Sequence, residues 1–294
     1  MKKINLKRPL TITVANQKGG AGKSTITRYL AYSLSLHGYH VLVVDEDPQS
    51  NTTKSFVVTK EHNEPDSVFV LDKTMMAGIR DHDLTDLVVN ILPNLDLIPA
   101  HYDLKNLTNY LSKQYGVAEE GDANYHEVKS KKLFFLRELL EPLKSRGTYD
   151  FIFIDTPPTS SDYTDSAVGA SDYVLVAFQT QSDSLDGAHN FIFNPDELPE
   201  KVNEFGVPTD VLGILPNQMQ RSGSIDETVM QDAVNFFGKE NMFKTIVPYK
   251  RRLQSAPRNG LRNDSYWDKD IFTSFLDNLT NEFIERVNLM ESDK

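Results

Sequence analysis

Between Leu10 and Val14 apolar side chains alternate with threonines, Leu10, Ile12 and Val14 against Thr11 and Thr13, and the run predicts a short buried strand. From Ser24 to His37 the period lengthens: Ile26, Leu30, Ala31 and Leu34 share one face of a helix, and Gly38 supplies its stop. Tyr39 to Val44 returns to strand, and further apolar runs predict strands at Leu95 to Ile98, Tyr149 to Asp155, Ser171 to Gln181, Thr209 to Leu215 and Phe243 to Val247. Helical spacing lies between them, over Asn106 to Tyr115, Val128 to Lys144, Leu185 to Phe193 and Ile225 to Phe237. A terminal helix runs from Ile271 to Met290, with Phe272, Phe275, Leu279, Phe283 and Val287 on one face. Strands alternating with helices call for an α/β fold, a mostly parallel twisted sheet with helices on both faces. Phe56 to Pro93 is less legible and offers only an amphipathic helix around Leu84 to Val89, while Gly116 to Tyr125 and Asn194 to Gly206 read as a surface loop and a surface insertion. No repeat or composition break divides the chain, so residues 1–294 read as a single domain.

Chemistry gathers at the ends of these strands. The first leads into Asn16-Gln17-Lys18-Gly19-Gly20-Ala21-Gly22-Lys23-Ser24-Thr25. Gly19, Gly20 and Gly22, with Ala21, let consecutive backbone N–H groups approach phosphate oxygens, and the helix that opens at Lys23 favours negative charge at its N-terminus. Lys23 supplies a counter-charge, Ser24 a hydroxyl suited to Mg²⁺, and Thr25 a further hydroxyl near the phosphates. The ordinary P-loop spacing wants a glycine where Gln17 stands. The second strand ends in Asp45-Glu46-Asp47-Pro48-Gln49-Ser50-Asn51, and the strand Tyr149 to Asp155 ends in a carboxylate followed by Thr-Pro-Pro. An acidic Asp-Pro turn alone commonly does no more than start a helix, and an apolar strand ending in Asp is common by chance. Their spacing from the glycine loop gives both a functional meaning, because ligands of such sheets bind beyond the carboxyl ends of the strands.

Composition narrows the partners. With 39% hydrophobic and 25% charged residues the 294-residue chain is an ordinary globular protein, and its net charge of −11 restricts any nucleic-acid contact to a local patch. One such patch exists: Lys244, Lys250, Arg251, Arg252, Arg258 and Arg262 follow one another with no acidic residue between. The absence of cysteine removes disulfides, thiolate zinc sites and Cys-ligated iron–sulfur clusters. The basic N-terminus leads straight into the first strand instead of a signal-peptide core, and no segment approaches the roughly 20 apolar residues of a membrane span, so a cytoplasmic location is expected.

The sequence from Leu10 to about Gly260 resembles the deviant Walker A ATPases of the ParA/Soj/MinD type, on four segments in the family's order: KGGAGKST, DEDPQSN, YDFIFIDTPP and PYKRRLQSAPRNG. The resemblance implies an ATPase that binds ATP and Mg²⁺ and pairs face to face with a second copy. It implies roles residue by residue. Lys18 reaches the nucleotide of the other subunit, Lys23 holds the phosphates, and Asp47 orients the attacking water. Ser24 and Asp155 meet Mg²⁺, with Asp45 near it through a water, while Asn217, Ala256 and Pro257 border the adenine. Arg252 falls on the family's DNA-contacting arginine, flanked by Lys250, Arg251 and Arg258.

The NQKGG start and the RRLQSAPR segment are most similar to plasmid or chromosome partition ATPases. In these an ATP dimer binds DNA nonspecifically on the nucleoid and a centromere-bound ParB-like partner stimulates hydrolysis. With nine residues before the first strand, the helix-turn-helix operator-binding domain of longer relatives is not expected. A membrane-bound, MinD-like positioning ATPase shares the core but needs a basic amphipathic C-terminal helix, and Asp277, Glu282 and Glu285 make this one acidic. A metabolic enzyme of the dethiobiotin synthetase or cobyrinate amidase type is the remaining alternative, one that requires a small-molecule pocket.

Overall fold

The structure is a computed structural model and describes residues 4, 6–66, 68–158, 162–219 and 224–292; residues 1–3 and 5 of the basic N-terminal stretch lie outside it. Among the described residues one sheet contains β1 (Leu10–Ala15), β2 (Val41–Asp45), β3 (Val89–Leu92), β4 (Leu95–Ile98), β5 (Phe151–Asp155), β6 (Tyr173–Gln179), β7 (Asp210–Met219) and β8 (Val247–Pro248). Their order across the sheet is β3-β4-β2-β5-β1-β6-β7-β8, and every pair is parallel except β3 with β4. The helices are α1 (Lys23–Leu36), α2 (Asn51–Asn63), α3 (Met75–Asp81), α4 (Leu107–Tyr115), α5 (Tyr125–Ser145), α6 (Asp162–Ala170) and α7 (Ser182–Phe193). They continue as α8 (Leu198–Asn203), α9 (Ser224–Phe237), α10 (Arg251–Gln254), α11 (Ala256–Asn259), α12 (Tyr266–Ile271) and α13 (Asp277–Ser292), the last two joined by a π-helical turn at Phe272–Leu276.

Strand pleating divides the core as the alternation requires. On one face Leu10, Ile12 and Val14 of β1, Val41 and Val43 of β2, and Phe151 and Phe153 of β5 pack against α1 and α13, with Phe283 wedged between the two β5 rings. Each fully buried side chain of this kind contributes roughly 1.5–3 kcal/mol. On the other face Leu42, Val44, Ile152 and Ile154 meet α3 to α6, and the second half of the sheet is covered by α7 to α9. The alternating threonines of β1 are buried too; the Thr13 hydroxyl pairs with that of Ser171 at 2.8 Å. The chain moves from β1 one way to β2 and later the other way to β6, β7 and β8, so the crevice of the sheet opens beyond the carboxyl end of β1.

Three expectations need correction. Leu84 to Val89 is not an amphipathic helix: the Asp83 carboxylate captures the Thr85 N–H and hydroxyl, both at 2.7 Å, and a single 3₁₀ turn leads into β3, an antiparallel edge strand. The rest of that unread region folds as α2 and α3. Asn194 to Gly206 is not merely a surface insertion, because α8 docks through buried Leu198 and through Lys201, whose ammonium lies 3.1 Å from Asp165. The strand expected over Phe243 to Val247 shrinks to Val247–Pro248, since the Lys244 and Thr245 N–H groups donate to the Glu282 carboxylate at 2.7 and 2.9 Å instead of to a neighbouring strand.

Candidate functional site

Residues 16–22 carry the chain from β1 into α1 through two left-handed glycines, Gly20 (φ 81°) and Gly22 (φ 87°). Side-chain amides from the ends of β6 and β7 hold the loop's carbonyls. Asn217 Nδ2 donates to Ala21 O at 2.7 Å, Gln218 Nε2 to Gly20 O at 3.1 Å, and Gln179 Nε2 also to Gly20 O. Because C=O and N–H oppose each other across a trans peptide, the N–H groups of Ala21 and Gly22 point the other way. A cavity of about 310 Å³ opens here, lined by residues 20–25 together with Asp47, Gln49, Asn51, Thr156, Pro158 and Gln218. Lys23 is buried at its base, its ammonium donating to Asn16 O at 3.2 Å. Burial lowers the Lys23 pKa below the ordinary lysine value, against the opposing pull of Asp155 and Asp47.

Asn16 is a residue that motif reasoning missed. Its buried amide donates to Ala177 O at 2.6 Å and Ser184 O at 3.1 Å, and its oxygen accepts the Lys18 N–H at 2.7 Å. Gly187 permits this approach of α7, for a Cβ there would stand 2.7 Å from Asn16 Oδ1. The result aims Lys18 outward: its side chain is half exposed and its ammonium lies 3.1 Å from the exposed Asp183 carboxylate. The two lysines of one loop therefore face different places, Lys23 the cavity and Lys18 the surface.

The acidic residues divide as well. Asp47 lines the cavity, with Oδ1 accepting the Gln49 N–H at 2.9 Å. Asp155 is buried beneath it; Oδ2 accepts the Thr52 hydroxyl at 2.5 Å, and Oδ1 has no hydrogen-bond partner among the described residues. Burial raises its pKa, and the Thr52 hydroxyl, Arg28 and the Ser24 hydroxyl draw it back. A spare carboxylate oxygen beside a serine hydroxyl at a phosphate cradle fits Mg²⁺, which takes one or two protein oxygens and fills its shell with phosphate and water. No cluster of three or more His, Cys, Asp or Glu able to hold a metal occurs among the described residues.

Asp45 stands opposite Asp155 in the β2–β5 register and also holds the start of α2: Oδ2 accepts the Thr53 N–H and hydroxyl, both at 2.7 Å, and Oδ1 the Asp47 N–H at 3.2 Å. The three residues expected at the adenine also part company. Asn217 props the P-loop, Ala256 opens α11 with its side chain buried in the core, and Pro257 follows it half-buried; none of the three lines the cavity.

A larger groove of about 790 Å³ lies along α10 to α12 and is lined by Lys250, Arg251, Arg252 and Arg262 of the basic run. Acids just beyond that run fold back onto it. Arg252 bonds to the buried Asp268 at 2.6 Å, Arg262 to Asp264 at 2.8 Å, and Lys250 to Asp270. Arg251 and Arg258 remain exposed.

With this geometry the comparisons with known proteins agree. A model of the AAA domain family matches residues 10–205. The chromosome partitioning protein ParA of Caulobacter vibrioides is 26% identical over 250 residues, 85% of this chain and 84% of that protein. The sporulation initiation inhibitor protein Soj of Bacillus subtilis is 29% identical over 252 residues, 85% of this chain and 88% of that one. The chain belongs to the ParA/Soj family of P-loop ATPases. Its fold is that of family members: a plasmid partition protein of Borrelia burgdorferi B31, solved with AMPPNP, superposes with a TM-score of 0.69 at 22% identity, covering 95% of this chain and all of the other. As in other ParA/Soj-type ATPases, nucleotide hydrolysis is the activity to which the cavity is suited, and among the described residues no helix is long and apolar enough to cross a membrane.

Proposed function

We propose that this protein is a partition ATPase that binds Mg-ATP in the cavity beneath Gly20 to Thr25, pairs with a second copy in that state, and then binds DNA without regard to sequence. The observation that carries the reading is the opposed placement of the two loop lysines. Lys23, buried with its ammonium on a carbonyl, is poised to take phosphate as partner. Lys18, held outward by Asn16 and paired among the described residues only with an exposed carboxylate, is free to reach a second molecule. Ser24 and Asp155 would hold Mg²⁺, which neutralises phosphate charge when bound. Asp47 positions water at the cavity wall. DNA phosphates meet Arg251 and Arg258 first, with Lys250 and Arg252 joining when they leave their aspartates. A centromere-bound, ParB-like partner accelerates hydrolysis and so releases the protein from the nucleoid.

The test is sedimentation with ATP and Mg²⁺, with and without nonspecific DNA, for the parent and Lys18→Ala. The parent should sediment as a dimer with ATP and join DNA only then. Lys18→Ala should bind ATP yet remain a monomer, with unchanged thermal stability, because an exposed Lys–Asp pair contributes only about 0–1 kcal/mol. A Lys18→Ala variant that dimerises and hydrolyses like the parent would sink the cross-subunit role.

A further inference from the structure

The P-loop motif ends at Thr25, but one turn later in α1 stands an arginine that the motif does not include. Arg28 is 4% exposed and lies between the first turns of α1 and α2. Its Nη1 donates to Asn51 O and to Ser55 Oγ, each at 3.2 Å, and its Nη2 donates to Thr25 Oγ1 at 3.2 Å. Its Nε is buried without a partner among the described residues. Burial opposes the charge, and the nearby carboxylates of Asp155 and Asp45 support it. A guanidinium has donors only, so in the contact with Thr25 the hydroxyl oxygen must accept. The hydroxyl hydrogen is then left to donate elsewhere. The Thr25 side chain lines the phosphate cavity, and its hydroxyl makes no other hydrogen bond among the described residues.

We propose that Arg28 is a positioning residue of the nucleotide site: by filling the acceptor side of Thr25 Oγ1 it fixes that hydroxyl as a donor into the phosphate cavity, and it ties this donor to the start of α2, directly after the Asp47 loop. The proposal rests on the reading of the cavity as a triphosphate site. Without the guanidinium, a helical threonine has a competing use for its proton, a bond back to the carbonyl four residues earlier, here Ala21 O. Ser55 fits the same logic: it accepts from Arg28 and donates its own proton to Asn51 O at 2.8 Å. Arg28 thus sets the direction of two hydroxyls, one on each helix.

A double-mutant cycle tests this through the affinity for AMPPNP with Mg²⁺, measured by calorimetry on the parent, Thr25→Val, Arg28→Met and the double variant, with melting temperatures alongside. A hydrogen bond to a charged group is worth about tenfold or more in affinity. Thr25→Val should cost that factor in the parent background, Thr25→Ser should cost almost nothing, and in the Arg28→Met background Thr25→Val should cost less than about threefold. If Arg28 merely supported the fold, its loss would lower the melting temperature while Thr25→Val kept its full cost; equal costs in both backgrounds overturn the proposal. Should Arg28→Met fail to fold, Arg28→Lys takes its place. It keeps the charge, but its compact ammonium cannot span Thr25, Asn51 and Ser55 as the guanidinium fork does, and the same shrinkage is expected. A parent that binds no AMPPNP overturns the nucleotide reading itself, a result distinct from a parent that binds but shows no coupling.

Discussion

Gly22→Ala tests the cradle where its geometry is least forgiving. Gly22 has φ 87° and ψ 14°, a left-handed conformation that costs a residue with a Cβ about 1–2 kcal/mol. That Cβ would also stand 1.8 Å from Asn217 Nδ2, so the amide must leave. Its departure breaks the 2.7 Å bond to Ala21 O and strands a side chain that is 2% exposed, worth about 1–3 kcal/mol more. The loop conformation that presents Ala21 and Gly22 N–H groups should therefore be destabilised by at least about 2 kcal/mol, and nucleotide affinity should fall roughly thirtyfold or more. Asn217→Ala alone loses only the bond, about 1 kcal/mol, or roughly fivefold. In the double variant the Asn217 cost is counted once and no amide is displaced, so it should bind nucleotide at least as well as Gly22→Ala alone. Titration with a fluorescent ADP analogue measures all four affinities. If the double variant is weaker than Gly22→Ala by the full Asn217→Ala factor, the two residues do not act on each other and the account of the loop is wrong.

Three further outcomes follow from the same geometry. Asp47→Ala removes a cavity wall but no phosphate contact, so it should slow hydrolysis at least tenfold and prolong the ATP dimer; a variant that stays monomeric in size exclusion with Mg-ATP would contradict this. Glu46 is fully buried with Oε2 unpartnered among the described residues, and burial lifts its pKa well above the ordinary value. The folded state therefore keeps a proton that the unfolded state loses as pH rises past the usual glutamate range, so stability falls with rising pH there. Glu46→Gln should raise the melting temperature by a few degrees at about pH 8 and hardly at all at about pH 5, and an equal effect at both would refute the assignment. For DNA, Arg251→Glu with Arg258→Glu reverses two exposed charges. It should abolish cosedimentation and flatten the salt dependence, each lost phosphate contact removing roughly 0.9 from the slope of log affinity against log salt. Parental DNA affinity at about 100 mM salt would exclude the patch.

The catalytic half of the fold was legible because its strands are apolar runs that end in functional residues: Leu10 to Ala15 before the glycine loop, Val41 to Asp45, and Phe151 to Asp155. What stayed hidden was buried by polar groups, which leave no hydrophobic period to read. The clearest instance is α2, whose buried positions are Thr52, Thr53, Ser55, Phe56 and Thr59, one apolar residue among five. Each hydroxyl there has a partner outside the helix's apolar logic: Asp155, Asp45, Arg28 and the Leu261 N–H. The pairing of the basic run stayed hidden for a related reason, since its counter-charges Asp264, Asp268 and Asp270 follow it in the sequence and only the turn into α12 brings them back.

The same helix joins the P-loop cavity to the basic segment. At its N-terminal end α2 is fixed to the site by Thr52 on Asp155 and Thr53 on Asp45. Near its other end the Thr59 hydroxyl accepts the Leu261 N–H at 2.7 Å. Gly260, at φ 65°, sits so close that a Cβ would meet the Thr59 backbone nitrogen at 2.9 Å. That contact anchors the end of α11, which carries Arg258, to a helix whose start follows directly on the Asp47 loop. The polar face that made α2 invisible to hydrophobic periodicity is thus the face that holds both of its ends.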